Sequence, residues 1–199
     1  MAADTWMITA RGAEHHLAGV GMAVNRFEIQ TIAHALAQIN RFTGHAVRPY
    51  SVAEHSLLCC ALAAREGLSP SVQLACLMHD AHEAFTGDVA SPVKWSLQGA
   101  WDGFEHVHSV QVRRWYGLQS TFAAHRSTIR HFDLVALATE RRDLTLWNAD
   151  QHEPWAILDT PGAEVRPAAD NLLEGWRDCP WSTWRDRFVQ TFYALRAEA

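Results

Sequence analysis

The chain has 199 residues, of which 48% are hydrophobic and 20% charged, and its formal net charge is −5. These values are typical of one globular domain with a sizeable core, and the acidic balance disfavours a duplex nucleic-acid binder, which usually shows a basic patch. We find no apolar stretch approaching the roughly 18 residues of a membrane span, and the first residues lack the basic start and apolar run of a signal peptide. We therefore expect a cytoplasmic protein that binds no membrane.

Helical periodicity dominates the chain, so the sequence predicts an all-α fold. Residues 7–24 are Gly-rich and irregular, with room for one short hairpin. Apolar residues at helical spacing predict a first helix from about residue 27 to residue 42, with Gly44 as its C-terminal stop.

Two further helix starts carry capping signatures. Ser51 and Glu54 have the spacing of a capping box, in which each side chain bonds the other residue's backbone N–H. This pattern predicts a helix over about 52–66. The Ser-Pro pair at 69–70 reads as an N-cap followed by a first-turn proline, and it predicts one helix that ends near Gly87.

The second half of the chain predicts more helices and one long connection. The predicted helices cover about residues 98–116, 127–147 and 181–197. Residues 148–171 are rich in Pro, Ala and Asp without periodicity, and loops of that length tend to be functional or disordered. Because no repeat or linker divides the chain, we expect a single domain over 1–199, with a core over about 27–147 and a C-terminal helical segment over 172–199.

Ligand-type side chains stand where a helix would place core residues. The inner stripe of the helix predicted to end near Gly87 runs through Val72, Cys76, His79 and Glu83, with Asp80 beside it. Burying an unpaired carboxylate costs several kcal/mol. Two carboxylates and a histidine on such a stripe therefore indicate a cation, and a divalent metal ion is the simplest choice.

Two other predicted helices repeat this feature. His55 lies on the apolar side of the helix that follows Ser51, and Asp133 and then Glu140 interrupt the apolar stripe of the helix over 127–147. Taken singly, His55 could be a hydrogen-bonded core histidine and Asp133 could pair with an arginine. The coincidence of three helices favours a shared metal site.

The segments 50–56 (YSVAEHS), 77–84 (LMHDAHEA), 86–88 (TGD) and 92–94 (PVK) together resemble the HD-domain phosphohydrolases. The resemblance is closest to bacterial 5′-deoxynucleotidases and phage-type deoxynucleoside triphosphate hydrolases, and it covers about residues 29–143. It implies an HD-type helical bundle with one divalent metal ion. The implied ligands are His55, His79, Asp80 and Asp133. Such a donor set suits Co, Mn, Zn, Fe or Ni better than Mg.

The same resemblance implies the other roles in the site. Glu83 corresponds to the catalytic carboxylate, and Asp88 to a residue that contacts the sugar hydroxyl. The implied substrate contacts are Arg41 and Phe42, where relatives often have Arg-Trp, and the phosphate-binding residues Lys94 and Arg130. Asp88 could instead be a turn residue, and Arg41 and Arg130 could be solvated surface charges. His45 and His82 are interpreted as structural.

These residues predict an enzyme that removes phosphate from a small nucleotide, with a nucleoside monophosphate favoured. The alternatives are a triphosphohydrolase, for which Arg48 and Arg126 would supply extra positive charge, and a nucleotide-binding sensor with a degenerate site. The sensor is disfavoured because neither a ligand nor Glu83 is missing. We also expect a homodimer. An aromatic stripe near the C-terminus is assigned to core or dimer packing, and it comprises Trp176, Trp181, Trp184, Phe188 and Phe192.

Overall fold

The computed structural model describes residues 5–170, 173, 175 and 178–199. It confirms the all-α prediction, because helices dominate and the strands within these ranges form one two-stranded sheet. None of the helices in these ranges is long and apolar enough to cross a membrane. The strands are β1 (Thr5–Ile8) and β2 (Glu14–Ala18). The α-helices are α1 (Ile29–Leu36), α2 (Val52–Arg65), α3 (Pro70–Leu77), α4 (Glu83–Thr86), α5 (Ser91–Ser96), α6 (Ala100–Trp115), α7 (Gln119–Ala124), α8 (Arg126–Leu144), α9 (Ala156–Asp159) and α10 (Trp181–Glu198).

The short hairpin predicted near the N-terminus is confirmed. β1 and β2 pair in antiparallel fashion, and the chain reverses through Gly12, whose φ of 77° favours glycine. His15 on β2 is buried and stacks on Phe85 of α4, with ring centroids 3.9 Å apart. This contact attaches the hairpin to the helical body.

Helix α1 is shorter than predicted, since it ends at Leu36 rather than near residue 42. The chain beyond it forms a compact loop that is closed by backbone hydrogen bonds. The Arg41 N–H donates to the Tyr50 carbonyl at 2.8 Å, and the Val52 N–H donates to the Ile39 carbonyl at 3.0 Å. These bonds replace the helical ones, and they bring Arg41 next to the start of α2.

Helix α2 is the central element of the fold. Its predicted capping box is present: the Ser51 hydroxyl accepts from the Glu54 N–H at 3.2 Å, and the Glu54 carboxylate accepts from the Ser51 N–H at 3.0 Å. The helix is buried on nearly every face along its first nine residues. It packs against α1, α3, α8 and α10. A ligand on α2 is therefore held in the middle of the molecule.

The prediction of one continuous helix from Pro70 to Gly87 is wrong, because the chain leaves helical geometry at Met78. Residues 78–82 form turns, and α4 begins only at Glu83. The His79 side chain stabilises this break by bonding the Cys76 carbonyl at 2.8 Å, a group that the end of α3 leaves without a helical partner. The predicted end at Gly87 is confirmed.

Two other predicted boundaries are wrong by a few residues. The helix expected over 98–116 is present as α6, but it begins two residues later, at Ala100, because Gln98 and Gly99 adopt positive φ values of 51° and 84°. The short helix α5 before it was not predicted. Helix α8 begins at Arg126 but ends at Leu144, three residues before the predicted end, where Thr145 becomes extended. The helix predicted over 181–197 is confirmed as α10.

The C-terminal aromatic stripe is largely a core feature. Trp184, Phe188 and Phe192 are buried where α10 packs against α1 and α3. Trp181 is 40% exposed, and Trp176 lies outside the described residues. Core packing is thus confirmed for three of the five aromatics.

The segment predicted as a long loop over 148–171 is tied to α8 as far as the structure describes it. It contains α9, where Asp159 binds Arg141 through two hydrogen bonds of 2.5 and 2.9 Å. Further along, the Ala168 N–H donates to Thr139 Oγ1 at 2.9 Å. The segment is therefore held against the C-terminal part of the helix that carries Asp133.

Candidate metal centre

Four side chains from three parts of the fold converge at one point. His55 comes from α2, His79 and Asp80 from the turn between α3 and α4, and Asp133 from α8. His55 Nε2 lies 3.2 Å from His79 Nε2, 3.6 Å from Asp80 Oδ2 and 3.4 Å from Asp133 Oδ1. His79 Nε2 lies 3.1 Å from Asp80 Oδ2 and 3.9 Å from Asp133 Oδ1. The structure thus brings together all four residues that the sequence predicted as ligands.

The break after α3 explains how two consecutive residues can face the same point. In a regular helix, neighbouring side chains diverge by about 100°. The turn at 78–82 removes this divergence, so His79 and Asp80 lie side by side. The helical interruption that the sequence did not predict is therefore part of the site.

Four of these five separations fit ligands that share one ion, and the fifth, 3.9 Å between His79 and Asp133, is slightly longer. Imidazole nitrogens and carboxylate oxygens bind ions such as zinc at about 2.0–2.2 Å, which places neighbouring donor atoms roughly 3.0–3.6 Å apart. Two imidazoles and two carboxylates also suit a borderline divalent ion in their chemistry. His55, His79, Asp80 and Asp133 could therefore hold a single transition-metal ion.

Cys59 lies beside this group and is a poorer ligand. Its sulfur is 3.6 Å from His55 Nε2 and donates to the Phe132 carbonyl at 3.8 Å, so it forms a compact group with the two imidazoles. Without a bound cation, burial raises the pKa of the Cys59 thiol to about 11. The carboxylates carry their negative charge without this cost, so they are the better partners for a cation.

Hydrogen bonds fix the orientation of both imidazoles. His79 Nδ1 bonds the Cys76 carbonyl at 2.8 Å, and His55 Nδ1 bonds Oε1 of Glu140 at 2.5 Å. Carbonyl and carboxylate oxygens only accept, so Nδ1 must donate in both cases. In a neutral ring this leaves the Nε2 lone pair directed at the centre of the site, which is the arrangement that supporting partners give to metal-binding histidines.

The electrostatics of the pocket favour a positive charge at its centre. Burial alone would raise the pKa of Asp80 and Asp133, but neighbouring cations, chiefly His79 and His55, hold both pKa values well below their usual range. Burial and Arg41 would lower the pKa of His55, yet Cys59 and the carboxylates of Glu140 and Asp133 raise it well above its usual value. A proton or a metal ion can supply this charge.

A fully buried carboxylate supports the site from behind. Glu140 on α8 accepts from His55, from the Tyr50 hydroxyl at 3.0 Å and from Arg41 Nε at 3.2 Å. Burial would raise the pKa of Glu140, but Arg41 and His55 outweigh it and keep the pKa low. The sequence identified Glu140 only as a break in an apolar stripe, and its partners lie 85 to 99 residues away along the chain.

Arg41 and Phe42, both predicted to contact substrate, stand at the edge of the site. Arg41 is largely occupied by Glu140 and also lies 3.8 Å from Asp80. Phe42 and the following Thr43 adopt left-handed φ values of 55° and 53°, which cost on the order of 1–3 kcal/mol each for such residues. Phe42 is half-buried, with its ring centroid 6.3 Å from that of Trp155, an aromatic that the sequence did not indicate.

Glu83 and Asp88 add negative charge beside the ligands. Glu83 is buried, and its Oε2 has no hydrogen-bond partner among the described residues. Burial and the charges of Asp80 and Asp88 raise the pKa of Glu83 well above its usual value. Burial likewise raises the pKa of Asp88. A carboxyl group with a raised pKa is suited to accept and return a proton near neutral pH.

Lys94, predicted to bind phosphate, is paired with a residue that the sequence did not indicate. Its Nζ lies 2.7 Å from Oε1 of Glu105 on α6, and His82 Nε2 lies 3.4 Å from the same oxygen. Burial would raise the pKa of Glu105, but its bonds to His82 and Lys94 lower the pKa to about 2. Donor atoms of His82, Glu83 and Glu105 also lie within 4.8 Å of one another. The positive charge of Lys94 already balances the group formed by His82, Glu83 and Glu105, so this group needs no metal ion.

Arg130, the other predicted phosphate contact, stands at the rim of the pocket. Its guanidinium lies 2.5 Å from Oδ2 of Asp133, and its side chain is 50% exposed. Lys94 and Arg130 are therefore both paired with carboxylates, and an incoming phosphate group could replace these carboxylates.

Sequence comparison connects the chain to a bacterial family. No protein-family model matches the sequence. Over 138 residues it is 37% identical to the uncharacterized protein YfdR of Escherichia coli K12, a match that covers 69% of this chain and 71% of YfdR. The chain belongs to the YfdR family. An uncharacterized protein of Rhodobacter capsulatus is 34% identical over 122 residues, or 59% of this chain and 62% of that protein. Neither name states an activity.

Proposed function

We propose that the chain is a divalent-metal-dependent phosphohydrolase of the HD-domain type that acts on a nucleotide. The observation that carries the proposal is the convergence of His55, His79, Asp80 and Asp133, whose donor atoms have the spacing and chemistry of a single-ion site. The resemblance of the sequence motifs to HD-domain phosphohydrolases supports the same assignment.

The ion is best chosen from Co, Mn, Zn, Fe and Ni, because imidazole ligands suit these ions better than they suit Mg. A divalent ion held by this donor set supplies positive charge that polarises a phosphoryl oxygen and favours deprotonation of water. The chain supplies the remaining functions through its own side chains.

Glu83 is the proposed general acid/base. Its free oxygen and raised pKa equip it to take a proton from the attacking water and to return one to the leaving oxygen. Lys94 and Arg130 would exchange their carboxylate partners for phosphate oxygens. By the same resemblance, Phe42 would contact the base and Asp88 the sugar. Arg41 lies 3.8 Å from the ligand Asp80.

The first substrate to test is a deoxynucleoside monophosphate, and the alternative is a triphosphate cleaved to release tripolyphosphate. A non-catalytic nucleotide sensor is disfavoured because the ligands and Glu83 are all present and assembled. A cytoplasmic location, a homodimer and the absence of binding to duplex nucleic acid remain part of the proposal.

The test combines elemental analysis with phosphorus-based product detection on dAMP and dATP. Asp80→Ala should lose both metal and activity, because it removes a ligand. Glu83→Gln should keep the metal but lose about 10²- to 10⁴-fold in turnover, the range for a general acid/base. Glu66→Gln removes an exposed carboxylate at the end of α2 and serves as the matched control. Unchanged metal content in Asp80→Ala, or turnover of Glu83→Gln within about threefold of the parent, would contradict the proposal.

A further inference from the structure

Trp155 is an aromatic side chain near the candidate metal centre that none of the sequence motifs includes. It lies immediately before α9, in the segment that is held against α8. Its ring centroid is 6.3 Å from that of Phe42, and the two ring planes are tilted by 44°. Both side chains are half-buried, so each keeps part of its surface accessible.

Two contacts place this aromatic pair close to the metal ligands. The guanidinium of Arg41 lies 3.8 Å from Asp80, and its central carbon lies 5.7 Å from the centroid of the Phe42 ring. On the other side, the guanidinium carbon of Arg141 lies 5.4 Å from the centroid of the Trp155 ring. Arg141 directly follows the buried carboxylate that orients a metal-binding histidine. The pair therefore lies at the edge of the metal centre.

Trp155 is the rigid member of the pair. Its backbone N–H donates to Asp159 Oδ2 at 2.7 Å, and Asp159 also binds the guanidinium of Arg141. The ring of Trp147 packs on the same guanidinium, with its centroid 4.0 Å from the central carbon. These contacts fix the Trp155 backbone and ring against α8.

Phe42 is the member that can move. The three residues after it are exposed, and its left-handed φ of 55° is unfavourable. Strained conformations of this kind cluster at ligand-binding sites. A planar ring held between two others needs centroids about 7–8 Å apart, which is twice the usual contact distance. An opening of roughly 1–2 Å from the observed 6.3 Å, with rotation of the Phe42 ring, therefore makes room for a planar ligand.

We propose that Trp155 and Phe42 form a nucleobase site in which the base stacks on the Trp155 indole, and that this stacking favours purines over pyrimidines. This base site rests on the proposed function and adds a preference among its substrates. Stacking on an aromatic side chain accepts every base, and modest preferences follow from the strength of stacking. A two-ring purine covers more of the two-ring indole than a one-ring pyrimidine does, so the purine binds more tightly.

The direct test is calorimetric binding to Mn²⁺-loaded protein that carries Glu83→Gln, so that a substrate is not consumed. Three probes share one sugar phosphate and differ in the base: dAMP, dCMP and deoxyribose 5-phosphate, which has none. Adding Trp155→Leu should weaken dAMP binding by about tenfold or more and dCMP binding by about threefold, the range for one lost stacking contact. Binding of deoxyribose 5-phosphate should not change. For a triphosphate-binding site, dATP, dCTP and tripolyphosphate form the corresponding series.

Trp147→Leu is the matched control. Trp147 packs on the guanidinium of Arg141 as Trp155 does, and both rings are half-buried. Within the described part of the chain, Phe42 has a ring contact with Trp155 and none with Trp147. Both variants should therefore lose similar stability in urea unfolding, but only Trp155→Leu should weaken nucleotide binding. An equal loss of dAMP affinity in both variants would show that Trp155 acts only through Arg141 and would overturn the base site.

Photolabelling decides if Trp155→Leu does not fold. Light-activated 8-azido-dAMP, or 8-azido-dATP for a triphosphate-binding site, should modify Trp155 or Phe42 in the otherwise unchanged protein. Mass spectrometry of the peptides locates the label, and excess dAMP or dATP should prevent it. Competed labelling at other residues alone would overturn the base site.

The outcomes separate the base site from the chemistry. Nucleotide binding that Trp155→Leu weakens, in a protein that hydrolyses no nucleotide before the Glu83→Gln change, would support the base site and overturn the proposed function. Hydrolysis by a protein whose nucleotide affinities are the same with and without Trp155→Leu would overturn the base site and leave the function standing. A protein that binds neither series of probes would overturn both.

Discussion

Glu140→Gln is the sharpest test of how the site is held together, because it changes only one oxygen for an amide NH₂. Glu140 is completely buried and accepts from His55, Tyr50 and Arg41. A glutamine keeps one acceptor oxygen and turns a donor toward groups that are themselves donors. Arg41 would keep Asp80, at 3.8 Å, as its nearest remaining carboxylate.

The expected loss of stability follows from the loss of one member of a buried ion pair. Such a change costs about 3–5 kcal/mol, a large part of the roughly 5–15 kcal/mol that stabilises a typical domain. Because Glu140 also fixes the His55 ring, metal affinity should fall by about 10- to 100-fold, as it does when outer partners of metal-binding histidines are removed.

Urea unfolding of metal-free protein and calorimetric titration with Mn²⁺ measure the two effects separately. Tyr50→Phe removes a single hydroxyl donor and should cost only about 1 kcal/mol. Combining Glu140→Gln with Arg41→Met should cost less than the sum of the single changes, because the stranded cation is then gone. A Glu140→Gln protein within about 1 kcal/mol of the parent, with unchanged metal affinity, would refute the role of Glu140.

Two further expectations concern parts of the fold away from the metal. His15 is buried, and burial together with His108 lowers its pKa to about 4. The folded protein therefore favours the neutral imidazole. The stability that this form contributes is present above about pH 6.5 and is lost as the pH falls toward 4. His15→Phe should therefore reduce the loss of unfolding free energy between pH 7 and pH 5 by about 1–2 kcal/mol, and an unchanged loss would contradict this. Ser51→Ala should cost about 1 kcal/mol in urea unfolding by removing the cap of α2. Ser69→Ala is its control, because that N-cap side chain makes no capping bond, and equal costs would show that the capping box adds nothing.

The sequence predicted best those features that depend on residues close together in the chain. The capping box at Ser51 and Glu54 is a local pattern, and it appears in the structure as expected. A metal site is predicted because His55, His79 and Asp133 occupy positions where helical periodicity demands apolar side chains, and the resemblance to the HD-domain phosphohydrolases implies which four residues are its ligands. Polar residues at such positions indicate a buried partner even when the partner itself is unknown.

Features that depend on distant residues were not predictable in the same way. Residues 78–82 fit a helical pattern, and only the three-dimensional site shows why the helix must stop before His79. Glu105 lies on α6, whose pattern shows nothing unusual, and its role depends on Lys94 in another element. The early end of α1 likewise depends on backbone bonds across a loop rather than on residue type.

The position of α10 has a consequence for how the chain folds during synthesis. Its buried aromatics cover α1 and α3, and a hydrogen bond from Gln30 to Tyr193 joins residues 163 positions apart. At a translation rate of about 5–20 residues per second, α10 is synthesised roughly 8–30 seconds after α1. The apolar face of α1 stays exposed during that time. Until α10 emerges, the nascent chain exposes this hydrophobic surface. Ribosome-associated chaperones should therefore bind it before α10 is made.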